Sequence, residues 1–191
     1  MPERKPHLTA SKAITVESLD GPAAARSEAA FKLVYAEVFT KEPYEESPES
    51  VEATFRRFRS QVRKSTFLAA IARTTDGDPV GIAYGYPLSS KTGWWDQLIT
   101  SVSDDLRRED GQRTFGLMEF AVRAPWRRIG VGGQLHETLL AEGDEERVLL
   151  NALPEAEAAQ AAYQSWGYRK VGEAHPWEGA PLHDVLVRRL R

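Results

Sequence analysis

Cysteine is absent from the 191-residue chain. Its absence excludes disulfide scaffolds, thiolate metal sites and a cysteine nucleophile together. A basic excess is missing as well: 25 Lys and Arg stand against 28 Asp and Glu, a formal net charge of −3. That balance argues against wholesale binding to nucleic acid or to an anionic membrane, so neither is expected as a partner. No stretch approaches the roughly 18 apolar residues of a membrane span. Met1–Lys12 is polar, holds two prolines and lacks the apolar centre of a signal peptide. These first residues read as a flexible tail, residues 13–191 as one domain, and the cytoplasm as the default location. His175 and His183 have no partner at metal-ligand spacing, and no metal is expected.

What is present suits a globular domain, since 41% of the residues are hydrophobic and can fill a sizeable core. Ala13–Leu19 alternates as a strand and ends at the breaker Asp20-Gly21-Pro22. Phe31, Val34, Tyr35 and Val38 repeat at helical spacing, and that helix should stop before Pro43. Ser47-Pro48 has the form of an N-cap with proline in the first turn, opening a helix marked by Val51, Phe55, Phe58 and Val62. Thr66–Arg73 and Val80–Tyr86 flank an Asp-Gly turn and predict a hairpin. A long insertion, 89–113, follows, in which Trp95, Leu98, Ile99, Val102 and Leu106 keep helical spacing. Then come a strand Phe115–Val122, a helix from about Gly130 to Glu142, a strand Arg147–Ala152, a helix Glu155–Trp166, and two strands, Tyr168–Ala174 and Asp184–Leu190. The order predicts an α/β mixed sheet of about seven strands flanked by about four helices.

The chemistry concentrates in Phe115–Gly133, F-G-L-M-E-F-A-V-R-A-P-W-R-R-I-G-V-G-G. A strand runs into a glycine-rich turn that opens a helix, where unpaired backbone N–H groups and partial positive charge favour an anion. Arg127 and Arg128 add two full charges. The same residues would also serve as a tightly packed helix entry with surface arginines. A Walker loop needs Gly-Lys-Ser/Thr, and here Gly132 is followed by Gly133-Gln134. A dinucleotide fold needs its glycines after the first strand of a parallel sheet, and these lie two-thirds of the way along the chain.

Arg127-Arg128-Ile129-Gly130-Val131-Gly132 resembles the Gln/Arg-x-x-Gly-x-Gly/Ala signature of the GNAT superfamily of acyl-CoA N-acyltransferases. The preceding M-E-F-A-V strand and the later Tyr163…Gly167-Tyr168 helix end are similar too, and the likeness extends over about Ala13 to Leu190. It implies a GNAT-like fold with a helical insertion after the third strand, and acetyl-CoA as the acyl donor. By the same resemblance the backbone of Arg127, Arg128, Ile129, Gly130, Val131, Gly132 and Gly133 would hold the pyrophosphate. Phe120, Ala121 and Val122 would pair with the pantetheine arm, and the Val122 N–H would stabilise the oxyanion as an amine attacks directly through a tetrahedral intermediate. Tyr163 is the expected acid for the leaving thiolate, although its helix face, Ala158, Ala159, Ala162 and Trp166, would also make it a core residue. Glu119 interrupts an apolar strand on the face of Leu117 and Ala121 and is the expected base; a structural glutamate would look the same. Where the family often carries Asn, this chain has Ala156, and Asn151 is either its replacement or a strand-end residue.

The acceptor is read from the link F-T-K-E-P-Y-E-E-S, in which Phe39 and Tyr44 accompany Glu42, Glu45 and Glu46, and from Trp177 with Glu178 near the end. Acidic and aromatic groups suit a cationic amine, as they also suit a solvated loop. The expected reaction is acetylation of the primary amine of a small-molecule acceptor. A protein or peptide amine, and a non-catalytic acyl-CoA-binding sensor, are the alternatives. Trp94-Trp95 fits an acceptor pocket, the core of an added helix or the interface of a homodimer.

Overall fold

A computed structural model describes residues 13–191; the expected tail, Met1–Lys12, lies outside them. Strand β1 (Ile14–Asp20) passes directly into α1 (Gly21–Arg26). The Asp20-Gly21-Pro22 breaker is in fact a helix start: the Asp20 carboxylate accepts from the Ala23 N–H at 2.8 Å, and Pro22 occupies the first turn, where its missing N–H costs nothing. Helix α2 (Glu28–Phe39) buries Phe31, Val34, Tyr35 and Val38, the four residues that its spacing predicts. Helix α3 (Pro48–Gln61) begins at Ser47, whose hydroxyl caps Ser50 N–H at 3.2 Å.

Strands β2 (Leu68–Thr74), β3 (Pro79–Pro87), β4 (Thr114–Val122), β5 (Arg147–Ala152), β6 (Arg169–Ala174) and β7 (His183–Arg189) complete a seven-stranded sheet of order β1-β2-β3-β4-β5-β7-β6. Helix α5 (Val131–Leu140) packs against β1–β4 on one face, with α6 (Glu157–Ser165) nearby; α1, α2 and α3 cover the other. The predicted mixed sheet is therefore present, and two short helices, α1 and α4 (Asp104–Arg107), add to the four expected. No helix among the described residues is long and apolar enough to cross a membrane.

The 89–113 segment differs from the helix that its spacing predicts. It forms a 3-10 turn at Trp94–Gln97 and the four-residue α4, with Ile99 60% exposed. Its hydrogen bonds go to the sheet instead. Leu98 bridges Ala174, Ile99 N–H donates to Glu173 O at 2.9 Å, and Thr100 Oγ1 accepts from the Glu173 N–H at 3.0 Å. Beneath it, Glu109 Oε1 receives Trp95 Nε1, Thr114 Oγ1 and Arg147 Nη2, each at 2.9 Å. A buried ion pair thus holds the segment down more tightly than an isolated turn of helix could.

Two irregularities place the site. Strands β4 and β5, parallel neighbours, pair only from Thr114–Gly116 to Arg147–Leu149 and then diverge. In the β3–β4 register Glu119 faces Tyr84 but Leu117 faces Gly85, so Met118 is an extra residue, a β-bulge.

Candidate active site

The bulge changes which side chains share a face. Before it, Phe115 and Leu117 join the core under α5; after it, Ala121 belongs to the core under α2 and α3. Glu119 therefore shares a face with Ala121 but not with Leu117, contrary to the alternation read from the sequence. The extra residue reverses the strand's phase, and period-two counting cannot pass through it.

At the free edge of β4 it is the backbone that is exposed to a ligand. Arg123 N–H donates to Val80 O at 2.9 Å across β3. Antiparallel ladders alternate, so the N–H groups of Val122 and Phe120 point the other way, into the gap between β4 and β5. Phe120 closes one side of that gap, edge-on to Tyr163 and Trp166 at 6.3 and 5.5 Å. Asn151, on β5, presents a buried Oδ1 that has no hydrogen-bond partner among the described residues. A buried acceptor left this way is costly unless a bound molecule satisfies it.

The turn after β4 has a geometry that could take an anion. Arg128 has φ +62° and Gly130, the cap of α5, has φ +90° with no side chain capping the helix. Left-handed residues near a helix start turn successive N–H groups into one concavity. A Cβ placed on Gly133 would meet nothing within 4 Å, so the first turn is open, whereas one on Gly132 would lie 3.4 Å from Trp166. Arg127 Nε donates to Val122 O at 2.8 Å, which ties its guanidinium to the end of β4. Arg128, Ile129 and Gly130 are exposed, and Val131 is buried as the first helical residue. Ala156 caps α6 without a side-chain hydrogen bond, so the family's usual amide is missing there.

Across β4 lies a different environment. Glu119 is half-buried and makes no hydrogen bond to the described residues. Burial, first, and the nearby Glu46 carboxylate, second, push its carboxyl up to about 8, with Arg57 opposing. Glu46 accepts from the Tyr35 hydroxyl at 2.9 and 3.0 Å, and it too is raised by burial. Of the three loop glutamates only Glu46 turns inward; Glu42 and Glu45 are exposed. Phe39 stacks on Tyr35 at 4.3 Å and Tyr44 tilts against Phe39 at 4.6 Å, forming an aromatic wall. Tyr44 lies within the electrostatic reach of both Arg127 and Glu119.

Tyr163 is buried among Phe120, Trp166 and Tyr168. Burial holds its hydroxyl well above the usual tyrosine range, with Tyr168, Tyr44 and Glu119 adding to the effect. Its hydroxyl makes no hydrogen bond to the described residues and is not sealed from solvent. The fold brings Glu119, Tyr163, Val122, Tyr44 and Phe39 to one place. Trp177 stands apart, 57% exposed and edge-on to His183 at 5.6 Å, with no ring contact to Phe39 or Tyr44. Sequence reasoning passed over Tyr35, Thr54, Arg57 and Tyr84. The first two sit on helical core faces, and nothing in the linear order shows that these four gather on the side of the sheet that Glu119 faces.

Residues 31–168 match the family model described as Acetyltransferase (GNAT) family. No curated protein matches the chain significantly. Among solved structures, PH1933 from Pyrococcus horikoshii OT3 is 17% identical, with 94% of this chain and 99% of that one covered at a TM-score of 0.65. An acetyltransferase from Thermus thermophilus is 16% identical over 93% and 97%, TM-score 0.62. The PaiA N-acetyltransferase from Thermoplasma acidophilum, solved in complex with coenzyme A, is 12% identical over 93% and 99%, TM-score 0.60. At these identities the structures speak for the fold.

Proposed function

Since the chain belongs to the acetyltransferase (GNAT) family and uses acetyl-CoA, we propose that it acetylates the primary amine of a small molecule that arrives as a cation. Residues 13–191 are read as one domain carrying the 89–113 insertion. The observation that carries the reading is the double use of β4. Its free edge offers backbone donors beside the glycine turn, and its other face offers the unpaired Glu119 carboxylate.

Acetyl-CoA, when bound, supplies an acetyl thioester. The residues present fit it. The N–H groups of Gly130–Gly133, with Arg127 and Arg128, would hold the pyrophosphate; this is the open first turn of α5. The edge from Phe120 to Val122 would pair with the pantetheine arm, and the orphaned Asn151 Oδ1 would accept one of its amide N–H groups. Val122 N–H would be placed to donate to the thioester carbonyl oxygen and offset the negative charge that attack puts there. Glu119, with its affinity for protons raised to about 8, takes a proton from the acceptor's ammonium and frees the amine for attack. Tyr163, kept protonated by its burial, gives a proton to the departing sulfur. Tyr44 and Phe39 wall the cation beside Glu46.

Thiol release from acetyl-CoA, measured over a panel of primary amines, tests the reading. At least one cationic amine should accelerate release, and Tyr163→Phe should lower that kcat by roughly 10²-fold with acetyl-CoA affinity near wild type. Tight acetyl-CoA binding with no acceleration by any amine would defeat it and favour a sensor role.

A further inference from the structure

The acceptor side of the sheet holds one pre-oriented positive charge that amine acetylation alone does not call for. Arg57 Nη2 donates to Thr54 Oγ1 at 2.8 Å; Thr54 is 3% exposed and lies 3.4 Å from the Tyr35 hydroxyl. A buried hydroxyl therefore fixes one of the guanidinium's five donors, and the others have no partner among the described residues. Arg57 lies close enough to Glu46, Glu119, Tyr84 and Tyr86 to favour their ionised forms, yet it ion-pairs with neither carboxylate. An arginine serving only as a counter-ion closes onto its carboxylate, as Arg123 does on Glu37 at 2.7 Å. One turn along α3, Gln61 Nε2 donates to the Tyr86 hydroxyl at 3.2 Å, and Lys64 Nζ stands 4.9 Å over the Tyr86 ring with no ion-pair partner among the described residues. Beside the acidic pair Glu46 and Glu119 there thus stand two cationic side chains, Arg57 and Lys64.

We propose that Arg57 binds an anionic group on the acceptor, so that the acceptor is an amine that also carries a carboxylate or a phosphate. Its ammonium end lies toward Glu46 and Glu119, and its anion takes the free donors of the guanidinium in charge-assisted hydrogen bonds. This inference rests on the amine-acetylation reading and goes beyond it by naming the acceptor's second charge.

The test compares matched pairs: amino acids beside the amines that lack only their carboxylate, and aminoalkyl phosphates beside the corresponding amino alcohols. Each is assayed with wild type, Arg57→Gln and Arg57→Lys. Wild type should favour the anion-bearing member of one pair class by roughly 10- to 100-fold in kcat/KM. Which class shows the preference distinguishes carboxylate from phosphate. Arg57→Gln should collapse that ratio to near one, and Arg57→Lys should restore part of it. Any effect of Arg57 on Glu119 cancels in the ratio, because both members use the same base. Equal rates for both members in wild type, or a ratio that survives in Arg57→Gln, would overturn the proposal while leaving amine acetylation standing. No acetylation of any amine, with acetyl-CoA bound, would overturn both.

Discussion

The two faces and the free edge of β4 do their work by different means. Toward α5 and α6 the proposed functional atoms are mostly backbone, with the Tyr163 hydroxyl from α6 as the exception: the N–H of Val122 at an unpaired edge and the N–H groups of a glycine turn, lined by Phe120 and Trp166. Toward α2 and α3 they are side chains drawn from several elements: Tyr35 from α2, Glu46 from a loop, Arg57 from α3, Glu119 from β4. The bulge at Met118 lets one strand serve both. A backbone site asks only that certain φ angles and edges exist, and so one geometry suits one constant ligand. A site made of converging side chains can be rewritten residue by residue, which suits a variable one.

The sharpest way to break that comparison is Glu119→Gln. If the two sides are independent, kcat should fall by roughly 10²- to 10⁴-fold while the Kd for acetyl-CoA stays put. A parallel loss of acetyl-CoA affinity would show that they are not. If Glu119 is the base, it must be ionised to act, so in wild type kcat/KM should climb through about pH 8 and level off above it. Stability runs the other way. The native carboxyl keeps its proton up to about 8, whereas the unfolded one releases it near 4.5. The folded state therefore loses ground as pH rises between those values, and Glu119→Gln should remove that loss. Urea midpoints at pH 5 and 9 measure it.

The same contrast explains how much could be read in advance. The backbone side leaves marks in linear order: Gly130, Gly132 and Gly133 after a strand, and β5 at Arg147–Ala152 with the bounds predicted. The side-chain side leaves few. Glu119 announces itself as a charge in an apolar strand, but its face depends on one extra residue that no periodicity marks. Tyr35 and Thr54 look like core because they are core, and only the tip of Tyr35 reaches Glu46. In the 89–113 segment the spacing of Trp95, Leu98 and Leu106 reflects packing on one cluster without a continuous helix, since Thr100 and Glu109 bond to the sheet and to Arg147.

A second prediction concerns acid, which should act on the opposite face. His136, on α5, is 2% exposed, and burial with the nearby Arg188 lowers it from 6.5 to about 4. Arg188 can only donate to His136 Nδ1, at 3.4 Å, so Nε2 carries the proton and donates to the Tyr168 oxygen at 2.7 Å. The ring also lies 4.7 Å from Trp166, the residue packed on Gly132. An unfolded histidine binds its proton near 6.5 and the native one resists until about 4. Stability is thus intact above 6.5 and lost as pH falls, by up to about 3 kcal/mol at pH 4. His136→Phe should flatten this acid slope. An unchanged slope would place the acid lability elsewhere.

The smallest expected effect tests whether the backbone side is truly a matter of φ. Gly130 sits at φ +90°, where an L side chain costs roughly 1–2 kcal/mol. Gly130→Ala should then either strain the turn or shift it, and raise the KM for acetyl-CoA by about tenfold, since 1.4 kcal/mol is one factor of ten. The KM of the amine should hardly move. Gly133→Ala provides the contrast. Its new Cβ meets nothing, and alanine favours a helix over glycine by about 0.8–1 kcal/mol, so Tm should rise. If the pyrophosphate approaches that open surface, acetyl-CoA binding should weaken even as the fold tightens. Opposite signs in Tm and affinity from one methyl group would mark Gly133 as a contact surface; matching signs would return it to the helix alone.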